Sequence, residues 1–130
     1  MANQKETILI LGYSEDCLTL KRILDGDYKV VSVDNLGRLA ELVSEHSPSV
    51  VICEACLHWR NAAKTIEESE SKPTLIVCGR EISTDLHLDV LNHNPVYDVL
   101  SGPFNPEDVS WVARAAAGRE RRVFVERSVE

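Results

Sequence analysis

A chain of 130 residues, 44% hydrophobic and 27% charged, has the length and balance of one globular domain with a single core. No apolar run approaches the ~20 residues that span a bilayer, and a net charge of −7 opposes a nucleic-acid surface, whose affinity comes largely from neutralising phosphates. Neither membrane nor nucleic acid is therefore expected as a partner. The N-terminal MANQKET lacks the basic-then-apolar pattern of a secretory signal, which makes the cytoplasm the expected compartment.

In chain order, Ile8–Leu11 reads as an apolar strand that turns at Gly12. Cys17, Leu20, Ile23 and Leu24 follow at helical spacing, with Ser14 placed as the cap and Gly26 beyond the end. Tyr28–Val33 is a second strand, and Leu36, Leu39, Leu42 and Val43 mark a second helix, capped by Asp34 or Asn35 and stopped by Pro48. Val50–Cys53 is a third strand that ends abruptly at Glu54, and the polar segment His58–Lys72 is a weak third helix. The fourth strand starts at Pro73 and runs to Cys78, and the fourth helix opens at Ser83 or Thr84. Tyr97–Leu100 makes a short fifth strand, after which Asn105 caps a last helix with Pro106 in its first turn. Arg114, Arg119, Arg121, Arg122 and Arg127 crowd the C-terminal region, where cations suit the negative end of a helix.

Strand and helix thus alternate five times, and the middle strands are continuously apolar, the mark of a parallel sheet covered on both faces. Ligand sites in such sheets lie at the carboxyl ends of the strands. That directs attention to Gly12–Asp16, Glu54–His58, Cys78–Arg80 and Ser101–Phe104.

Three of these stretches carry a family resemblance. PSVVICE (Pro48–Glu54), PTLIVCG (Pro73–Gly79) and YDVLSGPFNPEDV (Tyr97–Val109) are similar, in order and spacing, to the third, fourth and fifth strand regions of the receiver domain of bacterial two-component response regulators. The third of that family's strands ends in a phospho-accepting aspartate, and its Lys-Pro-Phe is matched here at Pro103 and Phe104. The resemblance implies a flavodoxin-like, doubly wound sheet of five parallel strands in the order 2-1-3-4-5, with helices on both faces. The receiver-like domain would cover residues 5–118, followed by a helix extension or flexible tail over 119–130.

The same alignment shows what is missing. A receiver makes an acyl phosphate with a carboxylate nucleophile, acids that hold a divalent cation, a lysine and a hydroxyl. Here Glu54 stands at the acceptor position, Gly12 and Tyr13 replace the paired acids, Cys78 replaces the hydroxyl and Gly102 replaces the lysine before Pro103. The switch aromatic is Val99. Glu15 and Asp16 come slightly later, where acids routinely favour a helix start. A degenerate receiver is therefore expected, non-enzymatic and without cofactor or metal, in which Glu54 serves structurally rather than as a stand-in for phosphate. It would signal by contact with a kinase, an output protein or a second copy. The resemblance assigns that contact to the face of helix 4, strand 5 and helix 5, over Leu86–Asn92, Val96–Leu100 and Val109–Ala117.

Two other readings compete. Cys53 and Cys56 have Cys-x-x-Cys spacing, and Cys56, Cys78 and Cys17, with His58, approach one rim as a conceivable thiol- or metal-responsive sensor. Alternatively, Glu15 or Asp16 supplies a shifted acidic site for a surviving phosphoryl acceptor. His46, His87 and His93 show no partner spacing; Trp59 is expected as a surface anchor and Trp111 as core-facing.

Overall fold

A β-strand sends successive side chains to opposite faces, so strands apolar at every position need cover on both sides. The computed structural model describes residues 5–93 and 96–118 and shows how that cover is supplied. Five strands, β1 (Thr7–Leu11), β2 (Lys29–Val33), β3 (Val50–Glu54), β4 (Thr74–Gly79) and β5 (Val96–Ser101), alternate with helices α1 (Glu15–Leu24), α2 (Leu39–His46), α3 (Trp59–Glu68), α4 (Thr84–Leu91) and α5 (Pro106–Ala117). The strands are parallel, in the order β2-β1-β3-β4-β5. This is the flavodoxin-like arrangement expected from the sequence. The extension expected over 119–130 lies outside the described residues.

Register divides the interior in two. Ile8, Ile10, Val50, Ile52, Ile76 and Cys78 face α1 and α5, where they meet Leu20, Leu24, Val109 and Ala113. Leu9, Leu11, Val51, Cys53, Leu75 and Val77 face α2 and α3, packing on Leu39, Val43, Ala62 and Ile66. At ~1.5–3 kcal/mol for each fully buried aliphatic side chain, these rows dominate the favourable side of folding.

Helix ends follow their sequence signals with two exceptions. Asn105 Oδ1 accepts from the Glu107 and Asp108 amides, and Ser83 Oγ accepts from Leu86 N–H at 3.1 Å. Asn35 caps a 3-10 turn, Leu36–Arg38, that precedes α2 and that the apolar periodicity does not reveal. Ser14 has the extended backbone of a cap, but its side chain makes no capping bond.

Both tryptophans are placed opposite to expectation. Trp59 is buried, because Trp59, Ala62, Ala63 and Ile66 form the inward stripe of α3 at helical spacing. The segment is polar by count and amphipathic by position. Trp111 is 58% exposed. Val109, Ala113 and Ala116 take the sheet-facing positions of α5, which turns Trp111 to the far side.

Candidate functional site

Parallel register builds the site. Leu11 pairs with Cys53, Glu54 with Cys78, and Cys78 with Leu100. Strand alternation therefore points Glu54 to the α1–α5 face, and Gly12, one residue beyond Leu11, stands beside it. Gly12 has φ +151°, and a Cβ built on it would lie 2.5 Å from Glu54 Oε1, 2.7 Å from Glu54 Cγ and 2.6 Å from Cys17 Sγ. The longer acid thus fills the volume that a side chain at position 12 would take. Its neighbour's amide is also committed, since Gly12 N–H donates to the Val33 carbonyl at 2.8 Å.

Glu54 is only 6% exposed. The Ser14 hydroxyl donates to its Oε2; the side chain is turned toward the carboxylate, and its oxygen accepts no first-turn amide of α1. A buried polar group left unpartnered costs about 1–3 kcal/mol, more if charged, so this bond is what makes the burial tolerable.

The thiols around this row, Cys17, Cys53 and Cys78, are buried. Burial, then the Glu54 charge, pushes the Cys17 thiol up to about 11, and the same two causes push Cys53 up to about 12. Burial holds Cys78 well above the ordinary thiol range. Since the thiolate is the reactive form, these shifts disfavour reaction of all three near neutral pH. Cys53 Sγ–H donates to the Glu54 carbonyl at 3.4 Å, whereas Cys56 is exposed on the loop that follows. The Cys-x-x-Cys spacing therefore separates an interior thiol from a surface one. Among the described residues no three His, Cys, Asp or Glu side chains converge as metal ligands, so Cys17, Cys56, Cys78 and His58 are not assembled as a ligand set.

One rim pairing escaped the sequence reading, although the stretch Cys78–Arg80 was among those singled out. Arg80, just past β4, pairs with Asp16 of α1 at 2.5 Å, the carboxylate largely buried and the guanidinium largely exposed. A basic residue two places beyond the last apolar residue of a central strand was the available signal. Tyr13 is 72% exposed, away from the row. Gly102 N–H donates to the Gly79 carbonyl at 2.8 Å, and a Cβ there would meet Arg80 Cα at 3.4 Å and the Phe104 ring at 3.7 Å, ordinary contacts. Pro103 follows through a cis peptide and is exposed, while Phe104 packs on the α1–α5 core. Val99 belongs to the opposite core.

The divalent cation implied by the receiver resemblance requires several hard oxygen ligands. The residues present do not fit it. Gly12 offers no side chain, Tyr13 points away, Glu54 is committed to Ser14, and Asp16 to Arg80.

Farther along the sheet, His93 proves to have a partner after all. Its ring meets Trp59 edge-on, with centroids 5.2 Å apart and planes at 86°. On the outer surface, Leu88 and Leu91 of α4 are 56% and 40% exposed, and Trp111 of α5 is exposed as well.

No protein-family model matches the sequence, and no curated protein is similar to it. Solved structures are. A signal receiver domain from Vibrio parahaemolyticus superposes with a TM-score of 0.75 at 16% identity, over 97% of this chain and 98% of that one. The signal receiver domain of an HD domain-containing protein from Pseudomonas fluorescens gives 0.76 at 18% identity, covering 92% and 99%. The receiver domain of the Saccharomyces cerevisiae response regulator Ssk1, crystallised with the histidine phosphotransfer protein Ypd1, gives 0.72 at 15% identity, covering 90% and 92%. At such identities the likeness is one of architecture: this chain has the fold of the response-regulator receiver domains.

Proposed function

We propose that this is a degenerate receiver-like signalling domain, spanning residues 5–118, that acts by protein–protein contact and takes no phosphoryl group at Glu54. The interlock of Glu54 with Gly12 and Ser14 carries the reading. Phosphoryl transfer needs an acceptor oxygen open to the donor and fixed positive charge around the transferring oxygens. Here the carboxylate is folded inward, the lysine position is Gly102, and Arg80 is engaged by Asp16. A dianion placed at this rim would lack counter-charge. The acceptor rim is thus static, the domain neither an enzyme nor a cofactor binder, and Glu54 structural rather than a phosphate mimic, being turned toward Ser14 instead of toward solvent.

The contact surface is the face of α4, β5 and α5. Leu88 and Leu91, one turn apart, and Trp111 expose apolar surface there, the chemistry of an interface centre. The yeast receiver solved with a phosphotransfer protein is a precedent for receivers working through protein contact; a signalling kinase, an output protein or a second copy would suit this chain.

Incubation with acetyl phosphate and magnesium, followed by intact-mass measurement, is expected to leave the mass unchanged; an added phosphate sinks the reading. A photo-crosslinking residue in place of Leu88 or Trp111 is expected to trap a protein, where one at Ala40, on α2, does not.

A further inference from the structure

α4 carries the exposed leucines and packs on the core through Val90 and, partly, Leu86. Val90 is its one buried residue, whereas α3 buries Trp59, Ala62, Ala63 and Ile66. Its far end is also met by a set of side chains reaching from the start of α3. The Trp59 indole is seated in the core, with the His93 ring against it edge-on and the Arg60 guanidinium 4.8 Å from its centroid. The same guanidinium pairs with Asp89 of α4.

We propose that Trp59, Arg60, Asp89 and His93 form a clasp that sets the position of α4, and that its release remodels the surface bearing Leu88 and Leu91. The output half of this inference rests on the contact-based reading above; the mechanical half does not. An exposed ion pair alone is worth ~0.2–1 kcal/mol and an exposed cation–π pair about as much. Here one guanidinium serves both, so losing either partner loosens the other. The anchor is firm, because the loop that leads to Trp59 is tied to the sheet rim: Ala55 N–H donates to the Cys78 carbonyl at 2.7 Å and Leu57 N–H to the Glu54 carbonyl at 3.1 Å. α4 is thereby referenced to the strand that ends in Glu54 through these side chains as well as through its own buried face.

The test is amide hydrogen exchange on the dilute full chain, with Arg60→Ala, Asp89→Ala and the double variant. Exchange across 84–92 is expected to accelerate about three- to fivefold in each single variant, with no further gain in the double, and none in α2 or α5. Unchanged α4 exchange, additive effects, or acceleration spread over all helices would each overturn the clasp. His93→Gln, which leaves the ion pair in place, should give a smaller acceleration confined to the same amides. Photo-trapping at Leu88 then reads the output: equal trapping in Arg60→Ala and the parent overturns control of the surface by the clasp. Because exchange is measured without a partner, it tests the clasp even where trapping fails in the parent chain, a failure that would count against the contact reading alone.

Discussion

At the carboxyl rim, the Glu54 carboxylate is buried against Gly12 and bonded to Ser14, and Asp16 is paired with Arg80. Along α4 and α5, by contrast, Leu88, Leu91 and Trp111 meet solvent. The two regions flank the same sheet but differ in what their side chains do for the fold. Rim groups satisfy one another, so changing one leaves a clash or an orphan inside the protein. The exposed leucines and Trp111 keep roughly half of their surface in water, so their removal costs the isolated chain less than a change at the rim. Stability and association should therefore come apart cleanly between the two regions.

The sharpest way to break this contrast is Gly12→Ala. It adds a methyl where Glu54 and Cys17 already stand, on a backbone at φ +151° that L residues rarely adopt. A loss of about 3 kcal/mol or more in denaturant unfolding is expected, against about 0.5 kcal/mol or less for Gly102→Ala, where ordinary contacts await the methyl. Equal losses would show that the rim is not packed as described.

Alkaline unfolding comes next. The Cys17 thiol ionises near 9.0 when unfolded and at about 11 when folded, so above pH 9 the unfolded chain has lost a proton that the native chain keeps. Stability from this group is complete below pH 9 and falls as pH rises toward 11, by about 2 kcal/mol. Cys17→Ala should be less stable at pH 7 and show a flatter alkaline limb. Thiol titration of the native protein is expected to detect Cys56 alone, and all four cysteines after denaturation.

Ser14→Ala should cost about 1–2 kcal/mol by orphaning the Glu54 oxygen. The loss should largely vanish in a Glu54→Leu background, since the two residues act as a pair. Smallest of all, Leu88→Asp should change unfolding by about 0.5 kcal/mol or less while abolishing photo-trapping from position 111. A large loss of stability there would mean that α4 is rooted more deeply than its exposure implies.

The sheet was legible because its strands are apolar at every position and its helices begin at Asn105–Pro106 or Ser83 and stop before Pro48 or Gly26. These are local signals. The positions of Gly12, Glu54, Cys78 and Gly102 at the strand ends followed from the same alternation. What could not be read was the pairing of groups distant in sequence. Ser14 bonds a residue forty positions away, Arg80 bonds Asp16 across the rim, and Trp59 meets His93 and shares Arg60 with Asp89. Each is set by three-dimensional neighbourhood, not by spacing along the chain. The tryptophans were misread for a related reason: a count of polar residues hides the stripe that decides which side of a helix goes inward.

The fit of Glu54 into the hollow over Gly12 also constrains how this chain can change. An acid introduced at position 12 collides with the glutamate, and an aspartate introduced at 54 leaves a hole and an idle Ser14 hydroxyl. Each step toward a phosphorylatable rim is harmful alone, and the backbone at Gly12 would strain an acid there even beside the shorter aspartate. The interlock thus resists conversion by a single substitution at either position.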